Sequence, residues 1–156
     1  MTTRAILMPV VGDGQGPAEL SVGLTLAQAY SAHLDAVFIR PDPEAAFEYA
    51  GFGATYRDAL ERQMRQHIEV TGRAKAERYR RRFGALCKKA GVPKAHHPAA
   101  EPAASAEWRT LTGEPLDILP TAARRGDLTL FTESSVHFTS LFENMLEVTL
   151  LRSGRP

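Results

Sequence analysis

A three-layer α/β/α fold with a mainly parallel, doubly wound sheet is what the sequence predicts, and three observations predict it. Short apolar runs, Ala5-Ile-Leu-Met-Pro-Val-Val11, Ala36-Val-Phe-Ile39 and Leu128-Thr-Leu-Phe131, have the length of strands buried on both faces. Longer segments with apolar residues at three- and four-residue steps lie between them, as amphipathic helices require. Gly and Pro punctuate nearly every junction. Strand–helix–strand alternation implies parallel neighbours joined by right-handed crossovers, with helices on both faces.

The first strand ends at Gly12-Asp-Gly-Gln-Gly-Pro17. Pro9 lies inside it, and proline spares no ladder N–H, so its place is near the strand end or at a bulge. Pro17 and Glu19 suit a helix first turn, with Leu20, Leu24, Ala27 and Ser31 on one face. The second strand, Ala36–Ile39, stops at Pro41-Asp-Pro43. A long helix is predicted from Tyr56 to Ala90, with Gly72 as a point of weakness, because Leu60, Met64, Ile68, Tyr79, Phe83 and Leu86 keep its period. Gly91-Val-Pro93 ends it. The Pro/Ala/His stretch from Ala95 to Ala104 reads as a loop, and Ala106–Leu111 alternates as a strand does. A helix then opens at Glu114-Pro115, where Pro120 is expected to confine the regular part to the C-terminal end. Gly126 stops it, the Leu128–Phe131 strand follows, and a last amphipathic segment covers Leu141–Leu151.

The 156 residues suit a single domain, and the net charge of +1 gives no general reason to expect nucleic acid or an anionic membrane. One cysteine, Cys87, excludes an internal disulfide and fits a reducing, cytoplasmic setting. Neither a secretory leader nor an apolar run of about 20 residues is found, so no membrane association is expected.

Several strings, in this order and at this spacing, resemble the universal stress protein family. They are Ile6-Leu-Met-Pro-Val10 with Gly12 after it, the long helix closing on Ala90-Gly-Val92, and Thr112-Gly-Glu-Pro-Leu-Asp-Ile-Leu119 leading through Ala122-Ala-Arg-Arg-Gly126 to Asp127-Leu-Thr-Leu130. The resemblance implies the adenine nucleotide α-hydrolase-like arrangement over residues 1–156. Ser153-Gly-Arg-Pro156 resembles the turn into the family's fifth strand, so that strand is expected to be missing or supplied elsewhere. On this reading the chain is the N-terminal half of a longer tandem protein.

The family's ATP-binding branch carries an Asp directly after the Pro-Val of strand one, and a Gly-x2-Gly-x9-Gly-Ser/Thr loop after strand four. Here Val11 takes the Asp position, Asp13 comes two residues later, and the glycine positions fall at Thr132, Ser135 and Met145. A side chain intrudes where glycine would let the backbone approach a phosphate, and Glu133 adds negative charge beside it. The resemblance therefore implies a non-enzymatic stress-response or regulatory module with degenerate ATP binding and no cofactor. Its expected partner is a second copy or a second universal-stress domain. The alternative is a nucleotide-binding domain for ATP with Mg, or a weak ATPase, using the loops after strands one and four. Pro9, Val11, Gly12, Asp13, Thr132, Ser134 and Ser135 would then line the site.

Other candidates read more simply as structure. Gly12-Asp-Gly-Gln-Gly16 matches neither a dinucleotide fingerprint nor a P-loop. His96-His97 with Glu101 lacks a further ligand at metal spacing. Arg73, Lys75, Arg78, Arg80, Arg81, Arg82, Lys88 and Lys89 form a basic helix face, read as solvated, with a surface for an acidic protein as the alternative. Cys87, on the apolar face, reads as an inert thiol, and no nucleophile with a placed base is present.

Overall fold

The computed structural model describes residues 3–10, 17–44, 57–132 and 140–154. In chain order these form β1 (Ala5–Val10), α1 (Pro17–Tyr30), β2 (His33–Arg40), α2 (Arg57–Ala90), β3 (Ser105–Thr112), α3 (Pro115–Ala123), β4 (Leu128–Thr129) and α4 (Ser140–Ser153). The four strands make one parallel sheet in the order β3-β2-β1-β4.

The pleat sends alternate residues of each strand to opposite faces. On one face Ile6, Met8, Val10, Leu34, Ala36 and Phe38 meet Leu20, Leu24 and Ala27 of α1 and Tyr79, Phe83 and Cys87 of α2. Phe38 stacks on Tyr79 at 5.7 Å between ring centres, and Phe83 lies 5.6 Å from Trp108. On the other face a smaller group, Leu7, Val37, Ala122 and Ala123, packs with Ile39 and Leu111.

α1 and α2 end in the same way. Val92 N–H donates to the Cys87 carbonyl at 3.0 Å and Gly91 N–H to Lys88 at 3.3 Å, with Gly91 at φ 69°. Ala32 N–H donates to Ala27 at 2.8 Å and Ser31 N–H to Gln28 at 3.2 Å, with Ser31 at φ 50°. Both are Schellman stops, one built with glycine and one without.

Several boundaries differ from the sequence reading. α2 runs unbroken from Arg57 through Gly72, and Tyr56 lies outside the described residues. Past that glycine Ala76, Tyr79, Phe83 and Cys87 pack in the core, whereas Leu60 and Met64, expected on the same apolar stripe, are exposed. α3 is regular from Pro115, not confined to its C-terminal end. Pro120 is its sixth residue, so the missing N–H costs the short helix a single bond. β4 is two residues long rather than four. Pro9 turns the side that lacks an N–H toward β4 one step beyond the Leu7–Thr129 pair, and the ladder stops there.

Candidate functional site

β1 lies between β2 and β4, and the chain passes to β2 on one side and, after β3, to β4 on the other. This reversal of strand order between β1 and β4 is a topological switch point, and ligands of open α/β sheets bind outside the carboxyl ends of the strands there. The two strands are held in register by Ile6↔Leu128 and Leu7↔Thr129, and Leu130 N–H donates to the Leu7 carbonyl at 2.7 Å. At their amino ends the Asp127 carboxylate accepts from the N–H groups of Arg4 at 2.8 Å and Ala5 at 3.1 Å. The carboxyl ends of β1 and β4 therefore lie side by side.

Of the residues expected at this site, Pro9 is buried in β1 opposite Val37, and Thr132 is half-buried just past β4. Val11, Gly12, Asp13, Ser134 and Ser135 lie outside the described residues. Met145, counted as the third glycine position, is in α4 with 1% of its surface exposed, five residues past the helix start at Ser140. That position is core, not loop. Thr129 Oγ1 is buried with no hydrogen-bond partner among the described residues.

A second concentration of polar groups was not visible in the sequence. β2 places His33 and Asp35, and β3 places Ser105, Glu107 and Arg109, on the α3 side of the sheet, where a parallel sheet ordinarily carries apolar residues. His33, Asp35, Glu107 and Arg109 border a cavity of about 430 Å³, lined also by His96, His97 and Pro98 on one side and Ala122, Arg125 and Gly126 on the other. Arg109 Nε donates to Asp35 Oδ1 at 2.8 Å, and its Nη2 donates to the other carboxylate oxygen. That hydrogen bond holds the guanidinium more firmly charged. His33 Nδ1 lies 2.8 Å from Ser105 Oγ; burial lowers its pKa below the ordinary 6.5, with Asp35 and Glu107 opposing and His97 and Arg109 adding to the shift. His96 Nδ1 is 2.8 Å from Glu107 Oε1, so the pairing is with the strand and not with Glu101. Among the described residues no group of three or more His, Cys, Asp or Glu is arranged to hold a metal ion. The one sequence signal for this cluster is polar alternation at His33-Leu-Asp35 and Ser105-Ala-Glu-Trp-Arg109.

Cys87 is 1% exposed, and burial pushes its thiol up while the Lys94 ammonium partly opposes. No described helix is long and apolar enough to cross a membrane.

No family model matches the chain, and no curated protein matches it in sequence. Solved structures do match in shape. Universal stress protein UspA from Lactobacillus plantarum superposes with a TM-score of 0.58 at 16% identity, covering 94% of this chain and 92% of that one. A universal stress family protein from Burkholderia pseudomallei gives 0.56 at 17% identity over 94% and 89% of the two chains. A universal stress protein solved in complex with cAMP gives 0.51 at 16% identity over 99% and 94%. The parallel α/β/α architecture expected from the sequence is thus matched over almost its whole length, and the chain has the universal stress protein fold.

Proposed function

We propose that this chain is a stress-response or regulatory module of the universal stress type, without enzymatic activity, that acts through protein association. The observation that carries this reading is the end of the sheet at β4. Its two residues pair with β1 on one side, and no strand lies on the other side among the described residues. An open strand edge offers unpaired N–H and C=O groups, and it favours pairing across a homodimer or with a second domain of the same type. The absence of glycine from Leu130-Phe-Thr132 onward to Ser135 supports degenerate ATP binding. Sedimentation of the full chain tests the reading: a concentration-dependent dimer supports it, and a monomer at every working concentration overturns the homodimer form.

The switch point between β1 and β4 favours a second reading, nucleotide binding at the carboxyl ends of those strands. A structural neighbour solved with cAMP makes an adenine nucleotide the natural probe. Calorimetric titration with ATP and Mg²⁺ separates the two. Micromolar binding establishes the second reading, and no heat at millimolar nucleotide leaves the first.

A further inference from the structure

The sheet has another end, at β3. Its register with β2 sends the N–H and C=O of Ser105, Glu107, Arg109 and Leu111 inward, with Ser105 N–H donating to Ala32 at 3.2 Å and Gly113 N–H to Arg40 at 3.1 Å. Ala106, Trp108, Thr110 and Thr112 therefore turn theirs outward. Ala106 is satisfied: its N–H donates to Pro93 at 2.9 Å and its carbonyl accepts from Ala95 at 3.1 Å, in a short parallel bridge at Lys94. Beyond it the backbone groups of Trp108, Thr110 and Thr112 have no partner among the described residues. Three outward residues at ladder spacing are thus left open on an eight-residue strand.

Beside this edge runs a groove of about 310 Å³ lined by Arg40, Arg73, Glu77, Arg80, Thr110 and Thr112. Arg40 Nε donates to Thr112 Oγ1 at 2.7 Å, and no carboxylate pairs with Arg40 among the described residues. The one carboxylate in the groove, Glu77, is already held by Arg80 at 2.8 Å and approached by Arg81 at 3.9 Å. The imbalance extends along the helix. α2 carries eleven Lys and Arg against four Asp and Glu, from chain totals of 19 and 18, so the rest of the chain is net acidic.

We propose that the outer edge of β3 from Trp108 to Thr112 is a docking site for an acidic, extended segment of a partner protein. The segment adds as a strand to the open ladder, and its carboxylates face Arg40, Arg73 and Arg80. Open donors and acceptors at strand spacing select a peptide backbone. Its charge is selected by Arg40, which no carboxylate pairs among the described residues, and by the excess of cations on α2, since Arg73 and Arg80 already hold Glu69 and Glu77. A nucleic acid meets the second demand and not the first. The inference rests on the reading of the chain as a protein-association module, but uses a different edge from the one beyond β4.

A fluorescein-labelled peptide of alternating Glu and Val, titrated into the full chain and followed by anisotropy, tests it. Saturable binding is expected, with amide exchange slowed at Trp108, Thr110 and Thr112. Arg40→Glu with Arg80→Glu weakens it about tenfold, as loss of two charge pairs with added repulsion predicts. Thr110→Pro also weakens it. This variant removes an outward N–H and no ladder bond, so the fold is kept and its melting temperature checks that. Equal binding of a Lys–Val peptide, equal binding of oligo(dT), binding indifferent to Thr110→Pro, or exchange protection at Leu128–Thr129 instead would each overturn the assignment. A chain that dimerises yet ignores the peptide loses this inference and keeps the association reading.

Discussion

Ser31 and Gly91 occupy equivalent positions in two Schellman stops, at φ 50° and 69°. Left-handed backbone strains a residue with a Cβ and not glycine. Replacing Ser31 by Gly is therefore expected to stabilise the fold, and Gly91→Ala to destabilise it, each by about 1 kcal/mol. Thermal unfolding of the two variants should shift in opposite directions. His33 carries the pH-sensitive residue-scale effect. Its folded pKa is lowered by burial, so between 6.5 and that lower value the unfolded chain holds a proton that the folded chain does not. Stability is then complete above 6.5 and falls as pH drops through the window. Melting temperatures measured from about pH 7 to pH 5 should decline more steeply for the native chain than for His33→Gln, in which no imidazole titrates. Equal slopes would place the acid sensitivity elsewhere.

Among elements, α1 shows how closely the layers fit. A Cβ built on Gly23 would lie 2.6 Å from Met8 Sδ and 3.1 Å from Leu34 Cδ2, so this helix rests on β1 and β2 through a residue with no side chain. Gly23→Val forces both neighbours aside and is expected to cost about 1–3 kcal/mol, read as a lowered denaturant midpoint with unchanged slope. Elements with strong local signals were legible. The stop at Gly91 and the entry at Pro115 fall where the sequence puts them, because glycine and proline act through their own backbone. β2 begins three residues earlier than its apolar run, since His33-Leu-Asp35 is strand only by virtue of pairing with Ala5–Leu7 and Ser105–Glu107. β4 is shorter than its apolar run for the converse reason: Pro9 on the neighbouring strand withholds a bond.

At the scale of the molecule, the two faces of the sheet are unlike. The α1/α2 face is apolar along most of its length, while the α3 side becomes a charged hollow at the amino ends of β2 and β3. Charge is divided as unevenly, with the cations concentrated on α2. The near-neutral total of +1 conceals this, because a sum over the chain says nothing about placement. Strand order likewise creates the candidate sites. Asp35 and Arg109 are 74 positions apart and meet because β2 and β3 are neighbours. The β1/β4 switch point exists because the chain crosses back over β1.

By itself the sequence determined the alternation of strands and helices, the stops that separate them, and the loss of glycine after β4. These depend on each residue's own backbone preference and on the period of its neighbours. The tertiary structure alone decided which strands lie side by side, which edges stay open, and which charges converge. Those properties belong to pairs of residues far apart in the chain, and such pairs come into being only when a shared core brings them together.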